Sequence, residues 1–355
     1  MYEKKLLIAP AVVLSVLAAC AQPDPQLQAE MSAETNISME SGGNFESVDS
    51  SDASSVESQT EAGGDFTQLQ AVDGTTVTET IGEGDYVLTL DADVHIPDVS
   101  PQEGTFAAKS LNLSAIEDAL GNGETLSPES SGTRYISQDS SISFFVPPGP
   151  IGSALFENQN LSSYYSGANP YTKLPDEMTE QENAFVSEMT VAAQESLENI
   201  MPVSQLKNTG YQVFEDNDLS YASLSFISEF AGYPLIDASQ AAYMVTDVTL
   251  GTEGVIRVNF QGFYDMGESV DTDVLSLEEV LEIVRTGVEE KNINTYPIPV
   301  TDISLAYMVE NVTETSADFY PVWCFSGDVD AAIGHHPLIC IDARNGSIVS
   351  MFSQY

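Results

Sequence analysis

The sequence predicts an α+β fold of antiparallel sheets with packed helices, preceded by a disordered N-terminal linker, and three observations carry this. The run 86–96 alternates apolar and polar residues in the manner of a strand, and 243–250 and 254–264 pair naturally through the short turn at 251–254. Two longer stretches, 176–200 and the one opened by Ser276, space their apolar residues by three and four, as a helix face requires. Ahead of both, 21–72 is crowded with acidic, Ser, Gln and Gly residues and has too little apolar surface to offset the entropy of ordering.

The elements follow in chain order. Met1 to Lys5 carries Lys4 and Lys5, and 6–19 is an uncharged, mostly apolar run. At a rise of 1.5 Å per residue that run reaches only about 21 Å, short of a bilayer's hydrocarbon core of roughly 30 Å. It has the layout of a secretory signal. Leu17-Ala18-Ala19-Cys20 looks like a lipobox, in which small residues fit the peptidase cleft and the cysteine is lipidated before cleavage. Residues 1–19 are thus expected to be a signal peptide, and Cys20 the lipid-carrying mature N-terminus. The alternative is an ordinary signal cut elsewhere, with Cys20 incidental. A lipid-anchored acidic linker, 20–72, then lets the folded part stand clear of the membrane's extracytoplasmic face.

A β-rich N-terminal domain with helices is expected over 73–202. It opens with the strand at 86–96, closed by Pro97. A helix capped by Ser114 and Glu117 follows, with Gly121 as its stop. The next strand, 141–146, ends at Pro147 and Pro148, and a tyrosine-bearing loop around Tyr164, Tyr165, Asn169, Pro170 and Tyr171 leads to the helix at 176–200, which Pro202 ends. A C-terminal α+β domain is expected over 203–355. Its strand candidates are 211–214, 221–230, 243–250 and 254–264. Ser276 and Glu279 form a capping box for a clean amphipathic helix, and a four-stranded antiparallel module follows at 300–309, 318–325, 337–342 and 347–352.

Ten basic residues against 55 acidic ones give a formal charge of -45, which disfavours nucleic acid and anionic headgroups as partners. Cys324 and Cys340 are the cysteines left after Cys20. A hairpin centred near Ala332 places them directly opposite, so that a cross-strand disulfide and a pair of buried reduced thiols are both consistent with the pattern. No metal is expected: His335 and His336 lie near these cysteines, but no CxxC or HxxxH spacing supports a site.

No cofactor fingerprint, Walker loop, GxSxG or HExxH occurs. Ser204 and Lys207 match SxxK without its companion motifs, and the acidic run 215–218 lacks the Gly and distal Glu of a calcium loop. His95, His335 and His336 are the three candidates for neutral-pH bases, and none sits in a motif that names a Ser/His/Asp triad.

Over 211–350 the succession of motifs is specific in order if not in chemistry. Tyr211, Phe214 and Leu219 are followed by Gly232-Tyr233-Pro234-Leu235, Phe263-Tyr264, Leu275-Ser276-Leu277-Glu278-Glu279 and Ile303-Ser304-Leu305-Ala306-Tyr307. Then come Pro321-Val322-Trp323 and Ile341-Asp342-Ala343-Arg344-Asn345-Gly346-Ser347-Ile348. This succession resembles the C-terminal region of YycI and YycH, extracytoplasmic regulators of a Gram-positive cell-wall sensor kinase, and is similar to uncharacterised clostridial lipoproteins. The resemblance implies a non-enzymatic binding or regulatory module at the cell envelope, with an envelope or membrane protein as partner. Its anchoring differs, since those regulators meet the kinase through a transmembrane helix. The alternatives are an envelope hydrolase or transferase with an unrecognised site, and a passive surface spacer or adhesin.

Overall fold

The computed structural model describes residues 66–84, 86–165, 171–173, 177–213, 220–295, 297–329 and 333–352. The expected signal segment 1–19, Cys20 and most of the linker 20–72 lie outside the described residues, as do Asn169, Pro170, 215–218 and Ala332. All of the described residues belong to one unit, from Thr60 to Tyr355.

Helix α1 (Phe66–Gln70) leads into strands β1 (Thr76–Glu83), β2 (Tyr86–His95) and β3 (Gln102–Ala108). Helix α2 (Leu113–Ala119) precedes β4 (Ser127–Pro128), β5 (Arg134–Ile136), β6 (Ile142–Phe145) and β7 (Gly152–Asn158). Next come α3 (Gln159–Tyr165), β8 (Tyr171–Lys173), α4 (Glu180–Glu198), β9 (Val203–Val213) and β10 (Ser220–Phe230). The chain continues through β11 (Tyr233–Asp237), β12 (Ala242–Tyr243), β13 (Val245–Gly251) and β14 (Gly254–Asp271). Helix α5 (Leu277–Glu289) is followed by β15 (Val300–Glu310), β16 (Ser316–Asp328), β17 (His335–Asp342) and β18 (Ile348–Met351).

The architecture is mixed α and β and strand-rich, with antiparallel pairing dominant. A first sheet runs β1, β2, β15, β16, β17, β18 from neighbour to neighbour. Strand β11 continues the lane of β2 along β15, and β3 continues that of β17 along β16. Among the described pairings, those of β15 with β2 and with β11 are the parallel ones. The four C-terminal strands pair in sequence but extend on into the wider sheet, so strands from 76–108 share it with strands from 233–351. A second sheet, wholly antiparallel, runs β4, β5, β6, β7, β14, β13, β10, β9, β8.

Strand β14 belongs to both sheets, pairing with β13 and β7 in its first half and with β3 in its second. Gly262 makes the bend between them, at φ +72°, where an added Cβ would fall 2.8 Å from the Leu235 Cδ1. Only glycine takes this backbone without strain and without moving Leu235.

Helix α5 forms as its sequence requires: the Ser276 side chain accepts from the Glu279 N–H, and the Glu279 carboxylate accepts from the Ser276 N–H. Its buried face, including Leu277, Val280, Leu281, Val284 and Val288, joins a core with Leu88, Leu90 and Trp323 from the first sheet. Each such side chain stabilises by about 1.5–3 kcal/mol through apolar burial. Helix α4 starts at Glu180, not 176, because Thr179 and Glu182 supply the capping box there. Its Val186, Met189, Ala193 and Leu197 pack in the core of the second sheet.

Helix α2 differs from expectation at its cap. Asn112 caps it, accepting from the Ala115 N–H, and Glu117 reaches forward to accept the Leu126 N–H at 2.7 Å instead of closing a box with Ser114. Ahead of residue 73, α1 seats Leu69 in the first core. Phe66 packs against the same core and was the apolar signal for it.

Candidate functional site

The first sheet has two faces. One carries the α5 core, and the other carries a smaller apolar cluster that includes Ile236, Tyr243, Ala306, Met308, Cys324 and Cys340. At the edge of this second cluster lies a cleft of about 250 Å³ in which His95, Asp302, Ser326, His335 and Tyr243 meet.

Sequence periodicity places His95. In β2 the buried set is Leu88, Leu90, Ala92 and Val94, so His95 belongs to the opposite face. Parallel pairing with β15 sets His95 beside Ser304 and brings Asp302 within reach, 3.4 Å from His95 Nε2 to Asp302 Oδ1. Antiparallel pairing sets Ser326 directly across from Asp302.

His335 arrives through the β16–β17 hairpin, where a one-residue irregularity decides which histidine faces the cleft. Cys324 pairs with Cys340, and the same count carried to Asp328 would pair it with His336. A register shift between Phe325 and Ser326 pairs Asp328 with His335 instead, and a slip of one residue exchanges faces. His335 is therefore buried in the cleft, while His336 turns to the other side, its ring edge against Phe352 at 5.0 Å.

His335 Nδ1 lies 3.1 Å from Asp328 Oδ1, and its Nε2 lies 3.0 Å from the Ser326 hydroxyl and 3.6 Å from Asp302 Oδ2. Each oxygen of Asp302 thus faces a different imidazole. The Asp302 carboxylate, 21 % exposed, also accepts a 2.7 Å hydrogen bond from the Thr301 hydroxyl. The Tyr243 ring stacks on His335 with centroids 6.0 Å apart. Burial first, and the neighbouring Cys324 second, push the Tyr243 hydroxyl well above its ordinary range, which keeps it a neutral hydroxyl, 3.4 Å from the Cys324 sulfur. Asp73 and Glu229 add carboxylates to the lining, and no Lys or Arg is among the described lining residues.

Ser326, His335 and Asp328 have the spacing of a nucleophile, a base and an orienting carboxylate. Two observations tell against acyl transfer. Ser326 is 0 % exposed, and the Asp302 carboxylate sits beside the same Nε2, where it opposes the negative charge that such a reaction must develop. A polar cluster that holds and orients a bound molecule fits both facts.

Cys324 and Cys340 are direct cross-strand partners, as the hairpin expectation had them, and both are buried free thiols. The hydrogen bond between the two thiols and then burial push Cys340 well above the usual thiol range. No group of three His, Cys, Asp or Glu among the described residues is disposed to hold a metal ion. Ser204 and Lys207 lie on β9, Tyr171 begins β8, and Tyr164 and Tyr165 end α3.

Sequence reasoning did not find Asp302, Ser326 or Asp328 as members of a site. The available signal was the hairpin itself, which puts Asp328 opposite a histidine and Ser326 two residues before it on the same strand once Cys324 and Cys340 are paired. A second groove, about 670 Å³, runs along Pro147, Pro148, Ile151, Tyr264 and Val312 and contains Asp237 and Glu310 but no histidine.

No known family model matches the chain, and no curated protein matches it. Among solved structures, it is similar to an uncharacterized protein from Eubacterium rectale, with 15% identity and a TM-score of 0.45 over 82% of this chain and 100% of the other.

Proposed function

We propose that this chain is an exported lipoprotein, anchored through Cys20 at the extracytoplasmic face of a Gram-positive membrane, whose folded unit is a non-enzymatic binding or regulatory module. The observation that carries the binding role is the cleft at Asp302, where two of the chain's three histidines converge on one carboxylate without a productive nucleophile. The lipobox at 17–20 supports the anchor, and no helix among the described residues is long and apolar enough to cross a membrane. The resemblance of 211–350 to YycI and YycH, with α5 and the four strands after it as the shared module, supports a regulatory role in the envelope. A partner protein would carry any signal inward, because a lipid anchor cannot.

Ligand-linked stabilisation tests the binding role. Small solutes extracted from the envelope are expected to raise the melting temperature of the full chain, and Asp302→Asn to abolish the rise. An equal rise in the variant places the ligand elsewhere. Metabolic palmitate labelling tests the anchor, with incorporation expected in the wild-type chain and none in Cys20→Ser.

A hydrolase remains the second reading, favoured by the Ser326–His335–Asp328 spacing. A fluorophosphonate probe decides between them: no adduct on Ser326 is expected, and a stable adduct there would favour the hydrolase.

A further inference from the structure

We infer that the cleft takes a small molecule bearing a primary ammonium group, and takes it in exchange for protons. This rests on the binding role proposed above and adds a ligand class and its control by pH.

The geometry at Asp302 leads to the ammonium. The two imidazole nitrogens stand 3.4 and 3.6 Å from its oxygens, both longer than a good hydrogen bond, so neither saturates the carboxylate. Ionised, that carboxylate has about four acceptor positions, and the Thr301 hydroxyl takes one. An ammonium brings three donors and a positive charge to this place. The remaining lining agrees. Asp73 supplies a further carboxylate, no Lys or Arg is among the described lining residues, and Ile227 and Leu305 offer apolar contact for a short carbon body. A volume of about 250 Å³ limits that body to a few carbons.

The same geometry leads to the protons. His95 and His335 reach Asp302 from β2 and β17, on either oxygen. Neutral imidazoles leave the trio with the single negative charge of Asp302, and two imidazolium rings turn that into a single positive charge. The other groups facing His335 are Asp328, Ser326 and Tyr243; Tyr243 stays uncharged, and with the Asp328 carboxylate counted the cluster passes from two negative charges to none when both rings are protonated. Imidazolium and ammonium therefore compete for one carboxylate. Affinity falls as the two rings take up protons.

The test uses the full chain with carbon-13-labelled histidine rings, because His336 lies outside the cleft and serves as an internal control. Ethanolamine, acetate, glycerol and zinc chloride are titrated separately at about pH 8 and about pH 5.5. Ethanolamine alone is expected to shift the His95 and His335 rings together and leave His336 in place. Its affinity is expected to be weaker at the lower pH, by about tenfold for each 1.4 kcal/mol of competition. His95→Gln, at a half-exposed position, removes one of the two competing imidazoliums and should lessen the pH dependence.

If acetate, glycerol or zinc shifts the two rings and ethanolamine does not, the ligand class is wrong while the binding role stands. Ethanolamine binding of equal strength at both pH values overturns the exchange. If envelope solutes fail to move these rings as well, the binding role falls with the inference.

Discussion

Asp342 shows how one residue of this chain ties stability to pH. Burial pushes its carboxyl up, but the Arg344 guanidinium, the Arg344 N–H and the Asn345 amide outweigh burial and leave it below the usual carboxylate range. A depressed value means stability that is present above the unfolded carboxyl range and lost as the pH falls through the folded one. Asp342→Asn is expected to destabilise by about 2 kcal/mol at pH 7, the scale of a charge-assisted hydrogen bond at a buried site. Denaturant melts at falling pH should show the gap between the two proteins closing. A gap that is constant down to about pH 2 would contradict the role given to ionised Asp342. Cys324 and Cys340 offer a second test at this scale. In a Cys20→Ser chain, two thiols should react with Ellman's reagent after unfolding without reductant, and almost none before, since both are buried and the Cys340 thiolate is disfavoured. A count of zero after unfolding means a bridge.

Among elements, those with a local signal were legible in the sequence. The capping box at Ser276 and Glu279 fixes the start of α5, and the hairpin count from Cys324 to Cys340 gives the β16–β17 register in its inner part. What was not legible came from contacts remote in sequence. Nothing local tells β2 to lie parallel beside β15, or tells β14 to serve two sheets, and the cleft depends on the first of these pairings. The shift at Phe325 and Ser326 is also silent in the sequence, yet it chooses His335 over His336.

Turn chemistry is testable at the same scale. The β10–β11 hairpin turns through Ala231 at φ +52° and Gly232 at φ +84°, both positive, which suits Asn-Gly better than Ala-Gly. Ala231→Asn is expected to stabilise by about 1 kcal/mol, because the side chain is exposed and only the backbone preference changes. Gly262→Ala should act in the opposite sense, by more than about 1 kcal/mol, through its positive φ and the Leu235 contact. Urea denaturation measures both, and equal midpoints for wild type and variants would contradict the backbone argument.

For the whole molecule, charge is the dominant global fact. A formal charge of -45 with ten basic residues means that most carboxylates have no cation near them, and their mutual repulsion opposes the compact state. Raising sodium chloride from low salt to about 0.3 M should therefore raise the melting temperature, since screening acts over about 6–10 Å at such concentrations. A melting temperature that falls with salt would mean that attractive pairs such as Arg285 with Glu79 outweigh the repulsion. The same negative field favours cationic solutes over anionic ones at the surface.

The most direct measurement of the binding role is a crystal structure of the full chain soaked with its envelope solute fraction. The binding role predicts one small molecule within hydrogen-bond distance of Asp302, against His95 and His335. An occupied groove at Pro147 and Tyr264, with the Asp302 cleft holding solvent alone, would contradict it.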